Sequence, residues 1–352
     1  MALLLLASTL ALVAHDPPSP APPAPAPVDE GLSARALEDL AASGMIPGEP
    51  SPDAGGEGDA PPGTEAPAAT PKPGETRPAR PPLGGPAGVD AYRGLGTWVD
   101  VYDWTRTYAR QQPRVLPADV DRMAALGVQT LYIQASKHDA PGDLVEPELL
   151  AEWIQRARSR GIRVVAWYLP TLVDPARDLA RMMAIAGLPV DGLAVDIEAK
   201  DVSLLGERNR RLVAFSASLR RALPGRVIGG IVLPPVVLDV VNALYWPSFP
   251  YRQLAPYYDV WMTMGYWTVR PPASAFRDAH RYTSENVSRL RSHLGLPNAP
   301  VHPIGGIGDR STVADVARYR QAAIESGSIG GSLYDWRTTR LELWAPMQGL
   351  RA

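Results

Sequence analysis

The sequence predicts a (β/α)8 barrel over residues 88–352, and three observations support that fold class. From Gly94 onward, eight short β-rich runs alternate with longer helical patterns, which is typical of a parallel sheet with crossover helices. No glycine-rich nucleotide motif follows the first strand. Several predicted helices end in glycine, which adopts the left-handed capping conformation at least cost, at Gly127, Gly161, Gly187, Gly225, Gly295 and Gly327. Eight such units favour a closed barrel over an open doubly wound sheet.

The elements follow in regular order. Runs rich in β-branched and aromatic residues predict strands at 96–102, 129–135, 163–169, 192–197, 227–233, 260–266, 301–307 and 330–334. Helical patterns predict helices at 117–126, 147–160, 176–186, 207–223, 284–294 and 312–326, with a closing segment at 341–347. The connection after the fifth strand is predicted to be irregular.

Residues 15–87 have a different composition. Half of the 38 prolines fall there, and no aromatic residue precedes Tyr92. Such a segment buries too little apolar surface to offset chain entropy, so we predict a disordered linker. What remains is about 265 residues, near the typical size of one barrel domain.

Residues 1–14 predict export. The apolar run Leu3–Val13 is too short to span a bilayer, and a possible small-residue cleavage site ends at Ala14. A positively charged start is missing, which leaves an uncleaved short anchor or a misassigned first residue as alternatives. We expect a secreted or cell-surface bacterial protein with no stable membrane span.

Charge and cysteine content exclude several classes of function. A net charge of −2 gives no electrostatic reason to expect nucleic acid as a partner. The absence of cysteine excludes disulfides, thiolate metal sites and a cysteine nucleophile. His138 and His302 lack partners at metal-ligand spacing and are expected at the surface or rim, so no metal and no cofactor is predicted.

The fourth predicted strand carries the strongest chemical signal. In the run 190–198, VDGLAVDIE, alternation turns Ala194, Asp196 and Glu198 toward the barrel axis. Barrel active sites lie at the carboxyl ends of the strands, where Asp196 and Glu198 stand. Burying uncompensated carboxylates is costly, so two inward acids here are hydrated, paired or functional.

This run resembles the signature of glycoside hydrolase family 18, the chitinase family. The family pattern is an apolar residue, Asp or Asn, Gly, apolar, Asp or Asn, apolar, Asp or Asn, any residue, then Glu. Ala194 departs from it. The resemblance implies that Glu198 is the general acid, that Asp196 orients the substrate's N-acetyl group, and that Asp191 is a buried structural acid.

Geometry limits the role of Asp196 as a nucleophile. Side chains two residues apart on a strand point the same way, whereas an ordinary retaining pair flanks the scissile bond. Either the substrate's acetamido oxygen attacks, as in family 18, or a carboxylate on another strand does. The candidates on other strands are Asp100, Asp103, Asp309 and Asp335.

Two further strands resemble the family less closely. Residues 262–267 are similar to its MxYD motif, but Met264 and Gly265 replace the family's Tyr and Asp, and Tyr266 is the expected substitute. Residues 330–336 are similar to the strand that ends in a floor tryptophan, with Trp336 one position late.

The aromatic composition favours a carbohydrate as the ligand. The chain has nine Trp and thirteen Tyr but three Phe, and Trp and Tyr offer a flat apolar face with a polar handle. Substrate contacts are expected from residues at or near strand ends: Trp336, Trp267, Asp335, Asp100, Gln134, Trp104 and Met264.

The sequence thus predicts a glycoside hydrolase that cleaves a β-linked, N-acetylhexosamine-containing polysaccharide, with Glu198, Asp196 and Tyr266 as catalytic residues. Asp100 on the first strand together with Asp196 and Glu198 also resembles the family 25 lysozymes, which implies a peptidoglycan muramidase as an alternative. A non-catalytic barrel that binds cell-wall glycan is the second alternative, because Ala194 and the altered sixth strand are what it would show.

Overall fold

A computed structural model describes residues 86–109 and 112–350. Within them, eight parallel strands form one sheet in the order β6-β5-β4-β3-β2-β1-β8-β7. Parallel bridges from Trp261 to Val301 and from Met264 to Ile304 connect β6 with the β7 segment and close the barrel. The strands are β1 (Gly94–Val99), β2 (Thr130–Gln134), β3 (Arg163–Tyr168), β4 (Gly192–Ile197), β5 (Ile228–Val232), β6 (Val260–Thr263), β7 (Ile304–Ile307) and β8 (Gly330–Tyr334).

Helices connect the strands. They are α1 (Val101–Trp104), α2 (Val120–Ala125), α3 (Pro147–Ser159), α4 (Pro175–Ala186), α5 (Leu205–Ala222), α6 (Tyr251–Leu254), α7 (Ala279–Leu294), α8 (Val313–Glu325) and α9 (Trp344–Met347). The connection after β5 contains only a π-helical turn, Val237–Val241, and the short α6, in agreement with the predicted irregularity. The (β/α)8 prediction is therefore confirmed. The predicted export segment and linker fall outside the described residues, apart from the first turn at Pro86–Tyr92.

Strand β1 ends earlier than its sequence pattern suggests. It was predicted to reach Tyr102 but stops at Val99, because Asp100 caps the helical turn α1. One carboxylate oxygen of Asp100 accepts a 2.8 Å hydrogen bond from the backbone N–H of Tyr102. Short polar side chains favour this capping geometry over continued strand.

Four of the six glycines predicted to end helices are left-handed, namely Gly127, Gly161, Gly295 and Gly327. The prediction is wrong for Gly187, which has φ −76° and a right-handed conformation, and for Gly225, which is not among the left-handed glycines of the described chain. At those two helix ends the chain turns without a residue that requires glycine.

Tyr92 fills the amino-terminal end of the barrel. Its hydroxyl donates to the backbone oxygen of Leu193 at 2.6 Å and accepts from the Leu193 N–H at 2.9 Å. A Cβ at Gly192 would lie 2.7 Å from that hydroxyl. Glycine at this position of β4 is therefore required by close packing.

His302 contradicts the expectation of a rim or surface residue. It is fully buried inside the barrel, and its ring nitrogens contact the Tyr92 backbone oxygen at 2.8 Å and the Ser332 hydroxyl at 3.1 Å. Burial lowers its pKa to about 4. His138, by contrast, is exposed as expected. In the part of the chain that the structure describes, no helix combines the length and apolarity needed to cross a bilayer.

Candidate active site

The carboxyl ends of the strands form the mouth of the barrel, and β4 delivers two acids to it. In the register of the sheet, Ala194 pairs with Trp167 of β3, and Asp196 follows two residues later on the same side. Asp196 is 7% exposed, whereas Glu198 is partly exposed. The small Ala194 side chain and the large Trp167 ring thus lie directly beneath the acidic pair.

Asp196 is held as a buried acid. Burial and the charge of Glu198 raise its pKa well above the ordinary value. Its Oδ1 atom is buried and has no hydrogen-bond partner. Asp196 therefore keeps its proton to a higher pH than a free aspartate does.

Tyr266 follows β6 and faces the same space. Its side chain is 5% exposed, and burial raises its pKa, with the charges of Glu198 and Asp196 adding to the effect. Asp335 and Asp100 act on it in the same direction. The acids of β4 and those at the ends of β1 and β8 therefore all act on the pKa of Tyr266.

Asp100, Asp103 and Asp335 form a second group of carboxyls, here called the acid cluster. One oxygen from each lies within 4.8 Å of the others, a spacing that could hold a metal ion. Burial and Asp335 raise the pKa of Asp100 to about 6. Burial, Asp100 and Asp335 raise the pKa of Asp103 well above its usual range.

Two residues of the β8 end support the acid cluster. Arg337 forms an ion pair with Asp103, with 2.7 Å between Nε and Oδ1. Tyr334 donates from its hydroxyl to Asp100 Oδ2 at 2.8 Å, and its ring lies 5.7 Å from that of Tyr266. Asp335 itself accepts from the Thr338 N–H at 2.9 Å. Sequence reasoning missed Tyr334 and Arg337 as site residues, although their position at the carboxyl end of β8 was available as a signal.

The tryptophans expected to stack on sugar do not line the mouth. Trp267 is fully buried, with its ring 5.3 Å from Tyr319 of α8. Trp336 packs 5.3 Å from Trp344 of α9, under the guanidinium of Arg122 from α2. Both rings pack against outer helices, and these contacts give no support to the predicted stacking role, which stays a prediction. Asp335 faces the acid cluster, whereas the next residue, Trp336, faces the outer helices.

Three more expected residues have structural roles. Trp104 is fully buried and donates from its indole to the Gln134 backbone oxygen at 3.1 Å. The Gln134 amide oxygen accepts from the Val101 N–H at 3.2 Å, so this side chain positions the start of α1. Met264 is 3% exposed beside Ile304. Asp191, expected to be buried, is exposed and accepts from the Val164 N–H at 2.8 Å.

Cations and aromatic rings form the rim beside β4. The ammonium of Lys200 lies 3.7 Å from the centre of the Tyr245 ring, and burial lowers its pKa. Arg208 lies over the Trp246 ring at 4.7 Å. Lys200 of the loop after β4 and Arg208 of α5 thus both contact the loop after β5.

Comparison with known proteins shows which solved structures share this fold. No protein-family model and no curated protein sequence matches the chain. Its structure is similar to a chitinase from Chromobacterium violaceum, at 13% identity and a TM-score of 0.51, over 73% of this chain and 99% of the other. A family 18 chitinase from Pseudoalteromonas aurantia matches at 14% identity and a TM-score of 0.52, over 73% and 99%. The chain has the (β/α)8 fold of these chitinases. The spore cortex-lytic enzyme SleL of Bacillus cereus is similar too, at 13% identity and a TM-score of 0.55, over 74% of each chain.

At sequence identities of 13–14%, the structural similarity establishes only that the folds are alike. The fold resemblance that the sequence predicts from residues 190–198 is confirmed. The roles of Asp196, Glu198 and Tyr266 in this chain rest on the geometry of its own mouth.

Proposed function

We propose that this protein is an exported glycoside hydrolase that cleaves a β-linked, N-acetylhexosamine-containing polysaccharide. One observation carries the proposal: Asp196 and Glu198 lie two residues apart at the carboxyl end of β4, and the charge of Glu198 acts on the buried Asp196 and raises its pKa. A coupled carboxyl pair at the active face of a barrel is suited to acid catalysis. The family 18 fold and the apolar segment at residues 3–13 give further support.

In the proposed reaction, Glu198 protonates the oxygen of the leaving sugar while the glycosidic bond breaks. The acetamido oxygen of the substrate attacks the anomeric carbon and closes an oxazolinium ring. Asp196 accepts a hydrogen bond from the acetamido N–H and stabilises the positive charge, and Tyr266 positions the acetamido group. Water then opens the ring and returns a proton to Glu198.

The different roles of Asp196 and Glu198 follow from their different environments. Burial disfavours a charge on Asp196, so the free pair keeps its proton mainly on that residue. A substrate acetamido N–H that donates a hydrogen bond to Asp196 would favour its carboxylate form and leave the proton on the more accessible Glu198. Substrate binding and acid strength are therefore linked in this mechanism.

Substitution of Glu198 by glutamine tests the proposal on chromogenic chito-oligosaccharides. Glutamine keeps the size and hydrogen bonding of the side chain but donates no proton, so kcat should fall at least about 100-fold. Glu152→Gln is the matched control, because Glu152 is exposed on α3. Unchanged hydrolysis by the Glu198 variant would remove the mechanism, and glycan binding without turnover by the parent protein would identify a non-catalytic barrel.

A peptidoglycan muramidase is the second candidate, and Asp100 favours it. This carboxyl lies at the mouth with a pKa of about 6, and its charge acts on Tyr266, as that of Glu198 does. In that reaction Asp100 would assist Glu198 from the opposite side of the bond. Solubilisation of peptidoglycan sacculi, together with inactivity on chito-oligosaccharides, would favour it over the first candidate.

A further inference from the structure

The connection between β6 and α7 contains an arginine whose side chain is buried without a partner. Arg270 is 3% exposed, and its backbone N–H donates to the Trp267 oxygen at 3.0 Å. Within residues 86–109 and 112–350, none of its three guanidinium nitrogens has a hydrogen-bond acceptor. A guanidinium in a protein is always charged and carries five N–H donors. Burial of such a group without an acceptor or a counter-charge is strongly unfavourable.

Two acids close to Arg270 in the chain are engaged by other arginines. Asp278, which caps the start of α7, forms an ion pair with Arg318 of α8 at 2.6 Å. Glu285 of α7 forms an ion pair with Arg289 at 3.2 Å. Neither carboxylate therefore balances the charge of Arg270.

Two further donors lie on the buried side of α7. The Thr283 hydroxyl and the Asn286 amide nitrogen are buried, and neither has a hydrogen-bond partner in the described part of the chain. Residues three apart lie on the same face of a helix. The Asn286 amide oxygen accepts from the Val236 N–H at 2.9 Å, so its NH2 group is directed away from that bond.

Tyr282 shows that Arg270 and Asn286 lie in the same region. Burial raises the pKa of Tyr282 to about 12, and the charge of Arg270 and the nearby Asn286 side chain both act to lower it. The Asn286 amide nitrogen is close to Tyr282 but not in hydrogen-bond geometry with it. The Tyr282 hydroxyl is therefore neutral at physiological pH and supplies no counter-charge.

This group of donors is separate from the acids of β4. The pKa of Asp196 is raised by burial and by Glu198, and Arg270 makes no contribution to it. The charge of Arg270 is thus not used by the residues assigned to catalysis.

The ligand that matches these donors is a small monovalent anion. Water could accept hydrogen bonds from the guanidinium but would leave its charge unbalanced. Sulfate or phosphate costs more to dehydrate, because solvation energy grows with the square of the charge, and would exceed the single positive charge. A halide has one charge and accepts hydrogen bonds from any direction.

We propose that Arg270, Thr283 and Asn286 form a buried halide site beside α7, which binds chloride under physiological conditions. The anion neutralises the guanidinium and accepts hydrogen bonds from the hydroxyl and the amide. It connects the segment that follows Tyr266 to α7. Because the unfolded chain lacks the site, chloride stabilises the native state by mass action.

Urea unfolding in about 200 mM sodium chloride, compared with the same concentration of sodium gluconate, tests the proposal at equal ionic strength. Gluconate is too large for a buried site of this kind. Chloride should lower the unfolding equilibrium constant at least about tenfold, as expected for a Kd of about 20 mM or below.

Arg270→Met removes the guanidinium and keeps a long side chain, so the chloride effect should disappear. Arg252→Met is the matched control and should retain the full effect, because Arg252 is exposed on α6. The same response to chloride in the parent and in Arg270→Met would overturn the proposal. In that case the guanidinium is uncompensated, and Arg270→Met should also be more stable than the parent in chloride.

Two further measurements do not depend on the folding of Arg270→Met. Thr283→Val removes one donor to the anion and should raise the chloride concentration at half effect about tenfold. Crystals soaked in sodium bromide should show an anomalous scattering peak between Arg270 and Thr283. Ordered water at the guanidinium, with bromide elsewhere or absent, would contradict the halide site.

The outcome is independent of hydrolysis. A chloride effect that requires Arg270 supports the site even if the protein cleaves no glycan. Hydrolysis without such an effect leaves the proposed function intact and removes the halide site.

Discussion

The hydroxyl of Tyr334 donates a 2.8 Å hydrogen bond to Asp100 and so joins the last strand of the barrel to the first at the mouth. The Tyr334 ring also lies 5.7 Å from that of Tyr266. Through this contact the acid cluster adjoins Tyr266, whose pKa is raised by the charges of Glu198 and Asp196. The charges of the acid cluster and those of Asp196 and Glu198 therefore act on the same tyrosine.

Removal of that hydroxyl should change the titration of Asp100. The hydrogen bond stabilises the carboxylate form and lowers the pKa against burial and Asp335. In Tyr334→Phe the pKa of Asp100 should therefore rise above its value of about 6, as measured by carboxyl-carbon NMR titration. Tyr282→Phe, a buried change on α7, is the control and should leave Asp100 unaffected.

Asp100 should reduce stability at neutral pH. Its pKa is raised from 3.8 to about 6 on folding, so the native state holds a proton that the unfolded chain has released. Its contribution to stability is present below pH 4 and is lost as pH rises through about 6. Asp100→Asn keeps an oxygen acceptor for Tyr102 and should raise the free energy of unfolding at pH 7 by about 1–3 kcal/mol.

The difference between Asp100→Asn and the parent protein should vanish near pH 4, where both carry an uncharged side chain. Urea unfolding at the two pH values measures it. A variant that is less stable than the parent at pH 7 would show that the carboxylate is better compensated than its neighbours indicate.

His302 should stabilise the protein at neutral pH and not at acidic pH, the reverse of the pH dependence expected for Asp100. Burial lowers its pKa from 6.5 to about 4, so the unfolded chain binds a proton that the native state refuses. Its contribution is complete above pH 6.5 and is lost as pH falls through about 4, by about 3 kcal/mol in total. His302→Gln should flatten the pH dependence of the unfolding free energy in this window, whereas His138→Gln, an exposed change, should retain it.

The paired carboxyls of β4 predict the pH dependence of hydrolysis. Catalysis needs one proton on the pair, and the raised pKa of Asp196 keeps that proton bound above the usual range for aspartate. We expect kcat to fall as pH rises through the pKa of the pair. In Asp196→Asn the fall of kcat at high pH should occur at a different pH, because Glu198 then titrates without a charged neighbour. The same substitution should reduce kcat about 100-fold. An identical profile in parent and variant would remove the pair from catalysis.

Trp336 should contribute to stability and not to substrate binding. Its ring packs on Trp344 beneath Arg122, and loss of a buried tryptophan costs about 3–5 kcal/mol. Trp336→Ala should lower the unfolding free energy by that amount while KM changes less than about twofold. A selective rise in KM with unchanged stability would place the ring in the substrate cleft after all.

The sequence anticipated the parts of the site that depend on local pattern. The bounds of β4 and β8 were predicted as 192–197 and 330–334 and are observed there. Alternation along β4 placed Asp196 and Glu198 on the same side because side-chain direction in a strand has a period of two. The end of β1 was misplaced because the capping bond of Asp100 outweighs the β propensity of the residues that follow.

What the sequence determined by itself is the eightfold strand and helix order and the identity of the acids at the strand ends, since both follow from short-range periodicity. Tertiary structure alone decided which side chains meet. Tyr334 and Asp100 are separated by 234 residues, and His302 lies beside Tyr92 across 210. Such contacts arise when the barrel closes and brings the first strand beside the last. Burial then sets the charge of each group, because the cost of an ion depends on every neighbour that replaces water.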